Sequence, residues 1–191
     1  PAFNYNAANN NVSITTATLT PALTNTGVTK MYDRATGAPA GFTPTWSYGG
    51  LVSGDTAASV AYTGAVYDNA NVGTASKVTV SGISLTAITG SKSSAVTDYA
   101  LSATSKDVSA SITAKPVTAS ASKSYDGTTS LAGDVTLAGM LGGDTLNYTG
   151  AASNNSHVAT SNKYISALTL TNGTGLASNY APPAFNYNAA N

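Results

Sequence analysis

The residues of this chain that could do chemistry are few and far apart. Eight Asp, seven Lys, one Arg and one His are spread over 191 residues, with no Glu, no Gln and no Cys. Without Cys there is no disulfide, no thiolate nucleophile and no cysteine metal site. Calcium needs six to eight oxygens, usually from carboxylates close in sequence, and no Asp-x-Asp run occurs. Paired carboxylates for glycoside chemistry would both have to be Asp, and nothing in the spacing sets two together. A Ser-His-Asp set would have to use His157, which sits in an Asn/Ser loop. No Gly-rich phosphate loop is present. The expectation is a chain with no catalytic residue, no metal and no cofactor, and hence not an enzyme.

The acids that remain lie in recurring contexts. Tyr32-Asp33 returns as Tyr125-Asp126, followed there by Gly127, and Gly54-Asp55 returns as Gly143-Asp144. A Tyr packed ahead of a turn, with Asp accepting backbone N–H groups, accounts for the first pair, and a turn opening a strand for the second. Lys30 and Lys123 each stand two residues before the Tyr and read as exposed strand lysines that discourage edge pairing. One aromatic pair stands apart. Trp46 and Tyr48 lie in an apparent loop insertion, residues 35–50, where they could stack on a sugar ring, dock a neighbouring fibre, or fold back over their own core.

These recurrences belong to a repeat at two scales. Pro1 to Asn9 reads Pro-Ala-Phe-Asn-Tyr-Asn-Ala-Ala-Asn, and Pro183 to Asn191 reads the same, a period of 182 residues. Within that period Ser13-Ile14-Thr15 returns as Ser111-Ile112-Thr113, Lys30 to Asp33 as Lys123 to Asp126, and Tyr62 to Ala65 as Tyr148 to Ala151. Asn71-Val72-Gly73-Thr74 has a looser echo in His157-Val158-Ala159-Thr160, and Tyr99 matches Tyr180. The expected organisation is the last strand of a preceding module over 1–14, one module over 15–112, and a second over 113–191 whose final strand the following repeat supplies.

Apolar residues alternate with polar ones at Val60/Tyr62, Val78/Val80, Leu146/Tyr148 and Leu168/Leu170. Turn signals such as Asp126-Gly127 and Asn172-Gly173 fall between such runs. No stretch has helical periodicity. An all-β fold of two small antiparallel, Ig-like β-sandwich modules follows, with β-grasp-like modules as the alternative. Only about four residues, Thr113 to Pro116, separate the modules, which restricts their relative orientation. Phe3 and Tyr5, with their copies Phe185 and Tyr187, are expected on a strand that completes a sheet near a module boundary or bridges separate chains.

Ser111 to Thr118, Lys123-Ser124-Tyr125-Asp126-Gly127-Thr128-Thr129, Leu141 to Asp144 and Ser178-Asn179-Tyr180 together resemble the YDG/MBG repeat family. Such repeats occur in tandem in bacterial filamentous-haemagglutinin-like surface adhesins. The resemblance implies an extracellular, non-enzymatic role at the bacterial cell surface, as a structural repeat of a filament or adhesin stalk. The expected partners are neighbouring copies of the chain, with a glycan or host protein at the 35–50 loop as the alternative. With one Arg and dispersed Lys, nucleic acid is not expected, and no apolar run is long enough to span a membrane. Module one departs from the pattern at Arg34, which stands where module two has Gly127. A first turn of different shape is expected there, because positive φ strains a residue with a Cβ.

Overall fold

A computed structural model describes residues 12–187. The chain is all-β, with two short 3-10 turns, Val96–Asp98 and Ala177–Asn179, as its helical content among the described residues. Among the described residues no helix is long and apolar enough to cross a membrane. The chain divides into two compact units, interleaved in sequence. One takes the chain through Thr26, then 41–66 and 78–108, and the other takes 27–40, 67–77 and everything from 109 on.

In the first unit, β1 (Ala17–Leu23) is flanked by β3 (Trp46–Gly49), antiparallel, and β8 (Tyr99–Leu101), parallel. A long antiparallel pair, β4 (Asp55–Ala61) and β7 (Ser84–Gly90), lies in the same unit. β5 (Gly64–Tyr67) and β6 (Lys77–Ser81) lie mainly here too, with the first half of β9 (Ser105–Thr113). Leu19, Val78 and Val80 are fully buried, as period-two alternation places them on the inner faces of their strands.

In the second unit, β2 (Val28–Met31) runs parallel to the second half of β9, with Val28 opposite Ala110 and Met31 opposite Thr113. On its other side Ala110 donates its N–H to the Ser76 carbonyl at 2.9 Å. β9 therefore fills a slot with a backbone partner on both sides, and its Val108 and Ile112 are buried. β10 (Lys115–Pro116) pairs in parallel with β15 (Tyr180–Ala181). β11 (Thr118–Ala121) pairs antiparallel with β12 (Val135–Ala138), and β13 (Leu146–Ser153) with β14 (Ile165–Asn172). Leu131, Ala151 and Leu168 form the centre of this unit's core, with Val135, Leu137, Tyr148, Ile165 and Leu170 packed on it.

The all-β expectation matches these elements, while three parallel pairings depart from a purely antiparallel sandwich. The strand expected at Phe185 and Tyr187 is not formed. Both side chains are partly exposed and neither residue belongs to a strand. Pro182 and Pro183, just upstream, have no N–H to offer a ladder. Their copies Phe3 and Tyr5 lie outside the described residues.

Candidate functional site

The recurring Lys-x-Tyr-Asp stretch folds the same way twice. Asp33 Oδ1 accepts the Ala35 N–H at 2.9 Å, and Asp126 Oδ1 accepts the Thr128 N–H at the same distance, so both are turn-forming acids. The lysines are not exposed edge residues. The Lys30 side chain is only 6% exposed and its ammonium bonds both Asp33 oxygens and the carbonyls of Ala35 and Gly37. Lys123 does the same with Asp126, Thr128 and Ser130. Lys30 also sits 5.2 Å from the centre of the Tyr67 ring. Each ammonium thus gathers the carbonyls of the turn that follows it, as its three donors allow. The hydrogen bond from Lys123, followed by the Thr128 N–H, lowers Asp126 to a pKa of about 2. For Asp33, burial works to raise the pKa, but the Lys30 bond and the Ala35 N–H outweigh it and leave it lowered.

Arg34 adopts φ 70, close to the φ 77 of Gly127, so the two turns share one shape and the expectation of a different first turn is overturned. A left-handed residue with a Cβ is unfavourable by about 1–2 kcal/mol. Partners for its side chain offset that. Its guanidinium donates to the Gly142 carbonyl, and Nε lies 3.6 Å from Asp144 Oδ1.

Asp55 and Asp144 do more than open strands. The Tyr180 phenol donates to Asp144 Oδ2 at 2.5 Å and accepts the Leu141 N–H at 3.2 Å. In the first unit Tyr99 does the same, donating to Asp55 Oδ2 at 2.6 Å and accepting the Val52 N–H at 2.9 Å. Burial, then the bond to Asp144, raises the pKa of Tyr180, and the bond to Asp55 leads in raising that of Tyr99. Asp55 in turn is lowered, by Tyr99 first and the Ser94 hydroxyl second. A buried Tyr–Asp clasp therefore closes each repeat. The sequence showed all four residues recurring; what it lacked was a sign that they pair across 36 to 44 positions.

These parts meet within the second unit. Tyr32 packs edge-on against Tyr180, centroids 5.5 Å apart and rings at 78°. Asn179, 1% exposed, donates from Nδ2 to Asn71 Oδ1 and accepts the Val72 N–H, both at 2.8 Å. Arg34 reaches Asp144 beside them. A Tyr-Asp turn from the first half of the sequence is thus seated on the clasp of the second half. Tyr32 is 7% exposed as a result, whereas Tyr125 is 60% exposed and stacks only on His157, 6.4 Å away.

The remaining sequence candidates lie elsewhere. Trp46 and Tyr48 are on strand β3, not on a loop, and both are half-buried. Trp46 faces Leu23 and Tyr48 faces Pro21 across the ladder, the places that Val135 and Leu137 hold in the β11–β12 pair. Because Val135 and Leu137 pack on the core, the aromatic pair takes a core-covering position rather than that of a free recognition loop. No cluster of three or more His, Asp or Glu able to hold a metal occurs among the described residues.

The comparisons agree with the repetition. The family model described as "YDG domain" matches twice in succession, over residues 15–107 and 108–187. Neither curated proteins nor solved structures yield a match. Two adjacent matches cover nearly all of the sequence, and the chain belongs to the YDG domain family as a tandem pair.

Proposed function

We propose that this chain is a structural repeat unit of an extracellular bacterial surface filament or adhesin stalk, with a mechanical rather than chemical task. One observation carries the reading. The second compact unit is built from both family matches, residues 27–40 and 67–77 of the first and 109–187 of the second, and side chains of the two interlock there. Tyr32 on Tyr180, Arg34 on Asp144 and Asn71 on Asn179 are contacts between copies. From β9 through β10 to β11 the backbone is nearly continuous strand, with single residues between. A junction with both a short connection and interlocked side chains resists bending, as a stalk requires.

The test is a stiffness measurement. Spin labels placed either side of this junction are expected to give a narrow distance distribution by pulsed electron resonance. The double variant Tyr32→Ala, Asn179→Ala is expected to broaden it. A distribution already broad in the unaltered chain refutes the stalk reading.

A further inference from the structure

Among the described residues, no strand fills the second copy's counterpart of the β9 slot. In the first copy, Ala110 to Thr113 of β9 lies between β2 and Ser76. By the repeat, the walls of the same slot in the second copy are Ser122 to Ser124 on one side and Asn162 on the other. Ser122 to Ser124 form no strand. Between Ser122 to Tyr125 and Lys163 to Ile165 runs a groove of about 800 Å³, bordered also by the chain's own Pro183, Ala184, Asn186 and Tyr187. Meanwhile Val12 and Ile14 are 85% and 91% exposed. Ile14 is the repeat counterpart of Ile112, which fills the first copy's slot at 4% exposure.

The register agrees as well. Lys115, three residues after Ile112, pairs with Tyr180. Ala17, three residues after Ile14, pairs with Tyr99. A strand holding Ile14 in the slot therefore delivers the Tyr99–Asp55 clasp to the place that the Tyr180–Asp144 clasp holds against Tyr32. Tyr125 would then meet Tyr99. His157 stands in for Asn71 and Asp98 for Asn179, so an amide pair becomes an imidazole facing a carboxylate, which are complementary in charge whenever the imidazole is protonated.

We propose that this groove is a docking site for a second copy of the chain, which inserts its Val12–Thr15 segment as a parallel strand and seats its Tyr99 end on Tyr125. The contact joins unlike surfaces, so it propagates from copy to copy. It extends the array reading above, and its failure leaves the internal junction and its stiffness test untouched.

Register-specific crosslinking tests it, in a chain that has no Cys of its own. Met31 opposite Thr113 and Thr29 opposite Ser111 translate to Ser124 opposite Thr15 and Ser122 opposite Ser13. Adjacent strands lie about 4.8 Å apart, within disulfide reach, whereas a two-residue slip exceeds it. Ser13→Cys chains mixed with Ser122→Cys chains are expected to form disulfide dimers under mild oxidation. The yield should be at least about tenfold above that of Ser13→Cys with Ser124→Cys, and should fall about tenfold when Ile14→Asp is added. All the altered positions are exposed, so folding is not at stake. No dimer, or equal yields for both pairings, overturns the proposal. So does a groove filled by the chain's own residues after Tyr187, which is read as no competition by a peptide of residues 9–18 for crosslinking.

Discussion

Asn179→Ala tests the junction between copies most directly. The substitution removes two side-chain hydrogen bonds at 2.8 Å and leaves the Val72 N–H and Asn71 Oδ1 facing a small apolar group. Each lost bond is worth about 1 kcal/mol, and a stranded polar group adds about as much again where water cannot enter. Asn71 and Val72 are half-buried, so water recovers part of that, and a loss of about 2–3 kcal/mol is expected. A loss of that size lowers the melting temperature by roughly 8 °C or more. Thermal unfolding followed by circular dichroism reads the shift. Asp98 is the control, because it holds the matching place in the first copy but is exposed. Its side chain only accepts the Ala95 N–H at 2.8 Å, so Asp98→Ala is expected to cost under about 1 kcal/mol. Equal losses for the two variants would mean that the position matters for its local turn alone, and the interlocking argument fails.

Other expectations follow from the same geometry. Lys30→Met strips the donor from Asp33 and two carbonyls and is expected to destabilise by about 2–3 kcal/mol in urea titration, whereas an exposed edge lysine would cost almost nothing. Asp126 and Asp68 both have pKa values lowered to about 2 from 3.8, chiefly by Lys123 and Ser76 respectively. Their stabilisation is complete above the unfolded value and is lost as pH falls from about 4 to 2. Asp126→Asn should flatten the loss of melting temperature across that window, and an unchanged slope counts against it. Gly173→Ala sets a Cβ 2.4 Å from the Thr145 carbonyl oxygen and should cost about 1–3 kcal/mol by the same titration. Trp46→Ala is expected to destabilise by about 2 kcal/mol and to leave a glycan array blank in both forms; glycan binding lost with Trp46 would restore the adhesive reading.

The legible part of this chain was what repeats and what alternates. Identical stretches revealed tandem copies, and period-two runs such as Val78/Val80 gave strands because that spacing has one structural outcome. Asp33 and Asp126 were readable as turn acids because the bond they make is local. Long-range pairing was not readable. Nothing in Gly-Asp-Thr points 36 residues onward to Tyr180, so by itself the stretch signals only a turn. The burial of Lys30 is not legible because a lysine's usual place is the surface, and its loop of carbonyls takes form only once the turn closes. Arg34 in a left-handed turn was unexpected for the same reason: its support comes from Asp144, far along the chain. The strand at Trp46 is hidden within the 35–50 insertion because its partner lies more than twenty positions upstream.

The parallel pairing at the ends of each copy bears on how tension is carried. β1 beside β8, and β10 beside β15, put the entering and leaving segments of a copy side by side and pointing the same way. A pull on the two chain directions then slides one segment along the other, straining every ladder bond together, where an antiparallel hairpin would unzip bond by bond. In the proposed array such units are expected to yield late and abruptly, with the clasp tyrosines Tyr99 and Tyr180 standing on the sheared rungs.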